Sequence, residues 1–280
     1  MLLALTLVLG CNEPFSSVEE DLFPGGVSTM TVERIYPVTG PTDGGTGICV
    51  EGEGLDDSVE ITIGGADCTD AEYRGGLLSC LTPAGSGEAE LVATKSDRSQ
   101  HTATFTYVAF PDPVTPVDYC ALLEPCVPLN AEVDQLAEGQ PTVLVYHAGI
   151  TDQVDDADAL KVQFGYGLYQ SHPARGCWTW SEAAFSHQAA NDQGEMVNDV
   201  YSAAVRAPSE PGNYDFLFRA SVDGGRSWTI CDFGYYPGVS ELCEEDREGS
   251  ADGFQQGHVG VLVVTDSSSG GDDTGEDSGS

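Results

Sequence analysis

Short runs of alternating apolar and polar residues, each closed by a glycine-rich turn, confine this chain to β structure. Val59-Glu60-Ile61-Thr62-Ile63 runs into Gly64-Gly65, and Ala103-Thr104-Phe105-Thr106-Tyr107 puts both rings on one face. Tyr214, Phe216 and Phe218 share a face further on. A period of two places alternate side chains on one side of a strand, which then buries that side against a second sheet. The expected fold class is all-β: two tandem β-sandwiches with disordered termini.

The prolines of Phe110-Pro111-Asp112-Pro113 remove backbone donors that a sheet needs, so the join between the sandwiches is expected there. The expected organisation is a signal peptide over 1–10, a flexible tether over 11–29, one sandwich over 30–108 and a second over 109–266. Val143–Tyr146, Leu160–Tyr166, Tyr201 to Val205, Tyr214–Phe218 and Val259–Val264 read as strands of that second unit, about seven in all. Residues 267–280 are only Ser, Gly, Asp, Thr and Glu, and cannot bury a core.

The first segment resembles the IPT/TIG family of immunoglobulin-like domains. The resemblance is carried by Ile35, Pro37, Gly40-Pro41, Gly44-Gly45-Thr46, Val50, Gly52, Gly54, Ile63-Gly64-Gly65, Cys80, Thr82-Pro83, Phe105 and Tyr107. It implies a compact β-sandwich, no catalysis, and a role as spacer or adhesion module on a bacterial surface. In the second segment, Pro211-Gly212-Asn213-Tyr214 is similar to the entry to the penultimate strand of immunoglobulin- or fibronectin-like domains, where Tyr214 would form a tyrosine corner. The segment also resembles β-sandwich modules of secreted multidomain bacterial proteins, which bears on fold and location only.

At the N-terminus, Leu2–Leu9 is an unbroken apolar run, too short to cross a bilayer and suited to a signal peptide. Val8-Leu9-Gly10-Cys11 resembles the lipobox of bacterial lipoproteins. That resemblance implies cleavage before Cys11, lipid on its thiol, and an extracytoplasmic anchor at the outer membrane or cell surface. Leu9 is bulkier than the usual residue, and no Lys or Arg precedes the run. The other reading is an ordinary signal peptide with Cys11 in a disulfide.

Setting Cys11 aside leaves an even set: Cys49, Cys68, Cys80, Cys120, Cys126, Cys177, Cys231 and Cys243. In an exported chain this reads as a disulfide framework. There is no CxxC and no zinc-finger spacing to a histidine. Cys68 and Cys80 flank a turn between two predicted strands and are the expected pair. Cys49 points away from the core that Ile48 and Val50 face, so it is free or joined across the domain boundary, with Cys120 or Cys126 favoured.

Lysine and arginine number 10 against 46 Asp and Glu, a net charge of −36. Such a surface repels nucleic acid and anionic headgroups. A solvated surface, halophilic adaptation and calcium binding each account for the acidity. The calcium reading falls on Asp152, Asp155, Asp156 and Asp158, a loop without the glycine and terminal glutamate of an EF-hand. No cofactor is expected.

Ser221-Val222-Asp223-Gly224-Gly225-Arg226-Ser227-Trp228 matches the Asp-box pattern SxDxGxxW. Ser221, Asp223, Gly225 and Trp228 are expected to stabilise a hairpin; a single copy argues against a propeller. Trp178 and Trp180 fall on one side of a strand. They read either as core or, with Trp228, Tyr166 and Tyr169, as a surface on which sugar rings stack. His101, His147, His172, His187 and His258 are isolated, with no HExxH, GxSxG or P-loop. The function expected is a non-enzymatic envelope or surface module that binds, adheres or spaces, with a glycan or an envelope protein as partner. The alternative is an enzyme, or an enzyme's accessory domain, in the second sandwich.

Overall fold

The computed structural model describes residues 30–110, 115–153, 159–234 and 248–266. These residues form two β-sandwiches. In the first, one sheet has the order β1 (Thr31–Tyr36), β3 (Gly47–Glu53), β7 (Leu77–Leu81), β6 (Thr69–Arg74). The facing sheet runs β2 (Thr39–Pro41), β9 (Gln100–Val108), β8 (Gly87–Thr94), β4 (Glu60–Ile63), β5 (Ala66–Asp67). The alternation read from the sequence points Ile48, Val50, Ile61, Ile63, Leu91 and Phe105 into the layer between them. Cys68 and Cys80 are bonded, as expected, and staple the turn before β6 to β7.

The second sandwich pairs a sheet β10 (Tyr119–Glu124), β12 (Thr142–Tyr146), β16 (Met196–Ser202), β15 (Ala184–Ala190) with a larger one. The larger sheet runs β11 (Leu129–Glu132), β19 (Gly260–Thr265), β17 (Gly212–Ser221), β13 (Lys161–Leu168), β14 (Trp178–Glu182), with β18 (Thr229–Cys231) also on β17. Phe164, Phe216 and Phe218 fill its centre, the Phe164 and Phe218 rings meeting edge to face at 5.4 Å. The expectation of about seven strands is too low. The described residues hold ten, because residues 178–190 serve both sheets in turn and β11 and β18 are too short to read as periodic segments. Ala203 and Val205 are buried but lie beyond the end of β16. Tyr214 does form the tyrosine corner, its hydroxyl donating to the Glu210 carbonyl at 2.9 Å.

Candidate functional site

The two sandwiches meet where the outer face of the β3–β7 sheet touches the loop between β13 and β14, which contains a short 3-10 turn at Pro173–Arg175. Cys49 of β3 is bonded to Cys177, with Cα atoms 4.9 Å apart. The cross-boundary alternative for Cys49 is therefore correct, and the favoured partners are not. Cys120 is bonded to Cys231, tying β10 to β18 inside the second sandwich. Cys126 is disulfide-bonded too, to a partner outside the described residues. Cys49 points out of its own core, as its place between Ile48 and Val50 demands, yet it is fully buried because the second sandwich covers it.

Two glycines permit this approach. A Cβ on Gly47 would lie 2.1 Å from the Ala174 carbonyl oxygen, and one on Gly176 would lie 2.5 Å from the Ile48 carbonyl carbon. Backbone crosses backbone here, and Gly176, at φ +99°, also has a conformation that side chains disfavour. Polar contacts flank the bridge. Arg175 donates to Glu72 at 2.8 Å, and Arg74 donates to the Gln170 carbonyl at 2.8 Å. Glu72, Arg74, Leu168, His172, Arg175 and Trp178 border a cavity of about 20 Å³, room for about one water.

Gln170 links the junction to the interior. It sits at φ +62°, and its N–H donates to Asp215 Oδ2 at 2.7 Å. The same oxygen accepts from Gln256 Nε2 at 2.9 Å, whereas Oδ1, buried, has no hydrogen-bond partner among the described residues. Burial pushes the Asp215 carboxyl up to about 6, against the opposing effects of the Gln170 N–H, Arg74 and Gln256. Burial and then the Arg175 charge push His172 down.

The tryptophans form a ladder on the outer face of the larger sheet. Trp178 and Trp180 pair with Gly167 and Gly165 of β13. A Cβ on either glycine would lie within 2.5 Å of the indole opposite, so the rings lie across the bare backbone. Trp178 stacks on Trp180 with centroids 5.7 Å apart and planes 24° from parallel. The next rung is Gln163, whose partner on β17 is Arg219. The Arg219 guanidinium lies 3.9 Å from the Trp180 ring centre and 4.1 Å from that of Trp228.

Arg219 is oriented by two hydrogen bonds to Gln163 Oε1, at 2.9 and 2.6 Å, while Gln163 Nε2 donates to Glu182 at 2.6 Å. Burial pushes Arg219 down to about 10, with Glu182 pulling the other way. Trp228 is held from behind by the Asp-box turn, where a Gly225 Cβ would lie 3.1 Å from the ring. Asp223 accepts from the N–H groups of Arg226 and Ser227 and from the hydroxyls of Ser221 and Ser227. The Asp-box expectation of a fastened hairpin thus matches the β17–β18 connection.

Of the two readings of the tryptophans, burial holds for Trp178, whereas Trp180 and Trp228 are each partly exposed. Trp178 is 2% exposed and donates to Ser171 at 3.0 Å. Trp180, half-buried, meets Trp178 on the next rung along and Arg219 on the rung before. Tyr166 packs edge to face on Tyr214 at 6.0 Å. Tyr169 is 45% exposed, just before Gln170.

Arg219, Gln163, Glu182 and Asp215 were not singled out in the sequence. The two-residue spacing of Gly165 and Gly167, matched by that of Trp178 and Trp180, is a signal in the sequence from which the ladder could have been read. Asp155, Asp156, Asp158, Cys11 and Cys243 lie outside the described residues; Asp152 is exposed. Among the histidines, His147 Nδ1 lies 3.3 Å from Asp118, and His187 Nδ1 lies 3.0 Å from the hydroxyl of its neighbour Ser186. Among the described residues, no helix is long and apolar enough to cross a membrane.

The fold defines a tandem pair of immunoglobulin-like β-sandwiches. The first is an IPT/TIG domain, with residues 30–107 matching that family's model. No curated protein matches the chain. Solved structures resemble it loosely. The plexin A4 extracellular region is 15% identical over 79% of this chain and 20% of its own, with a TM-score of 0.28. The Bacteroides ovatus mixed-linkage glucan utilization locus protein SGBP-B, in complex with a mixed-linkage heptasaccharide, is 12% identical over 81% and 42%, at 0.20. The Yersinia pseudotuberculosis adhesin InvE is 15% identical over 75% and 62%, at 0.25. The chain spans about a fifth of the length of the plexin regions it matches.

Proposed function

We propose that this chain is a non-enzymatic envelope module, anchored through lipid on Cys11, that presents a binding surface on two sandwiches held at a fixed angle to each other. The observation that carries this reading is the Cys49–Cys177 bridge between the sandwiches. A hinge between tandem domains is the default, since interfaces within a chain are small and polar. A covalent tie seated on glycine-to-backbone contacts removes that freedom, which suits a spacer or an adhesion stalk.

The Trp178–Trp180–Arg219–Trp228 ladder supports the same reading. It starts at the junction cavity, which Trp178 borders, and ends at the Asp-box turn, where Arg226 stacks on Phe110 of the linker at 4.4 Å. Side chains that sequence alone offers as ligand contacts thus serve as bracing between two inter-sandwich contacts. A glycan partner would be met first by Tyr169, the most exposed of these rings.

Protease shaving of whole cells, combined with pull-down of envelope components by the purified full chain, tests the proposal. Surface cleavage and capture of a glycan or an envelope protein are expected. A chain that captures nothing and turns over a hydrolase substrate would sink it in favour of an enzyme in the second sandwich.

A further inference from the structure

Asp215 is 1% exposed, and its side chain points out of the core layer, on the same rung as Gly167 and Trp178. An ionised carboxylate seeks donors on both oxygens, yet the two donors here, Gln170 N–H and Gln256 Nε2, both go to Oδ2. A buried charge with one oxygen unmatched is costly, whereas a protonated carboxyl needs fewer donors and carries no charge. The loop that covers Asp215 is the one that docks on the first sandwich: Gln170 donates to Asp215 through its N–H and accepts from Arg74 through its carbonyl. Lifting that loop would hydrate the carboxylate and break the contact with Arg74 together.

We propose that Asp215 makes the sandwich junction tighten in acid: protonated, it keeps the 168–172 loop seated on the first sandwich, and ionised, it lets the loop open more often. This rests on the clamped junction above and adds its regulation. The polar groups around Asp215 come from three elements. Arg74 of β6 lies beyond Gln170 and favours the ionised form; Glu72, on the same strand, lies 3.8 Å from Arg74. Gln256 comes from the segment before β19. The β13–β14 loop supplies Gln170, together with His172 and Arg175. His172 works in the opposite sense, because burial and Arg175 disfavour its charged form in the closed junction.

The test follows reduction of Cys49–Cys177 in the full chain by a phosphine at pH 5 and pH 7.5, read by differential alkylation and mass spectrometry. The Cys68–Cys80 bridge within the first sandwich is the internal reference, cancelling the reagent's own pH dependence. The normalised rate is expected to rise roughly tenfold from pH 5 to pH 7.5, the scale of one hydrogen bond to a charged group. Asp215→Asn should match the wild type at pH 5 and stay slow at pH 7.5. Gln256→Ala, which removes a donor, should reduce faster than wild type at pH 7.5 only, and tests the idea should Asp215→Asn fail to fold.

Equal rates for wild type and Asp215→Asn at pH 7.5, or an upward pH step that persists in the variant, would overturn the proposal while leaving the clamp intact. A chain in which Cys49 and Cys177 are not bonded at all would overturn the clamp, and this regulation with it.

Discussion

Cys49 and Cys177 are 128 residues apart in sequence and covalently joined, so a strand of the first sandwich and a loop of the second form one unit. Replacing the pair by alanine should lower stability by about 2–4 kcal/mol, the usual worth of such a cross-link. Urea unfolding of the variant measures this. An unchanged midpoint would mean that the junction holds without the bond.

The glycines beside the bridge should be as sensitive as the cysteines. Gly47→Ala sets a methyl against the Ala174 carbonyl, and Gly176→Ala sets one against β3. Either variant should leave free thiols at Cys49 and Cys177, countable with a thiol reagent, while Cys68–Cys80 and Cys120–Cys231 stay closed.

Removing Arg219 should split the tryptophan ladder. Arg219→Ala loses two cation–π contacts and the bonds to Gln163, a loss of about 2–3 kcal/mol. Arg219→Lys should recover little, since an ammonium cannot lie flat between two indoles while bonding Gln163. Chemical denaturation followed by tryptophan fluorescence reads both the stability and the altered ring environment.

Asp215 and Asp223 should shape the pH profile in opposite senses. Asp215 titrates near 6 when folded, above its unfolded value near 3.9, so its contribution is fully present below that value and is lost as pH rises through about 6. For Asp223, burial opposes ionisation, but the Ser227, Ser221 and Arg226 bonds outweigh it and hold the carboxyl below its usual range. Its stabilisation is present above the unfolded value and disappears as pH falls through the folded one. Melting curves of Asp215→Asn should lack the fall in stability between about pH 4 and 6, and those of Asp223→Asn should lack part of the acid loss.

The strand pattern, the IPT/TIG segment, the Cys68–Cys80 pair, the tyrosine corner and the Asp-box hairpin were all legible in the sequence, because each is set by residues near one another in the chain. The partner of Cys49 was not. Facing direction shows that Cys49 leaves its own core, but which loop arrives there depends on how two sandwiches dock. The tryptophans stayed open between core and surface for a related reason. Whether an indole face is free depends on the strand two places away, and only the register of β17 on β13 brings Arg219 beside Trp180.

Cysteine parity gives an independent check on the anchor. Cys126 is bonded, and Cys11 and Cys243 are the two cysteines left to partner it. Lipid on Cys11 therefore requires a Cys126–Cys243 bridge. Non-reducing peptide mapping that instead joins Cys126 to Cys11 would show that the thiol is not lipidated.

Small-angle X-ray scattering of the full chain, compared with the Cys49→Ala, Cys177→Ala variant, tests the fixed-angle claim most directly. The account predicts that one arrangement of the two sandwiches fits the wild-type curve and that the variant needs a broader ensemble with a larger radius of gyration. Identical, equally broad ensembles for both would contradict it.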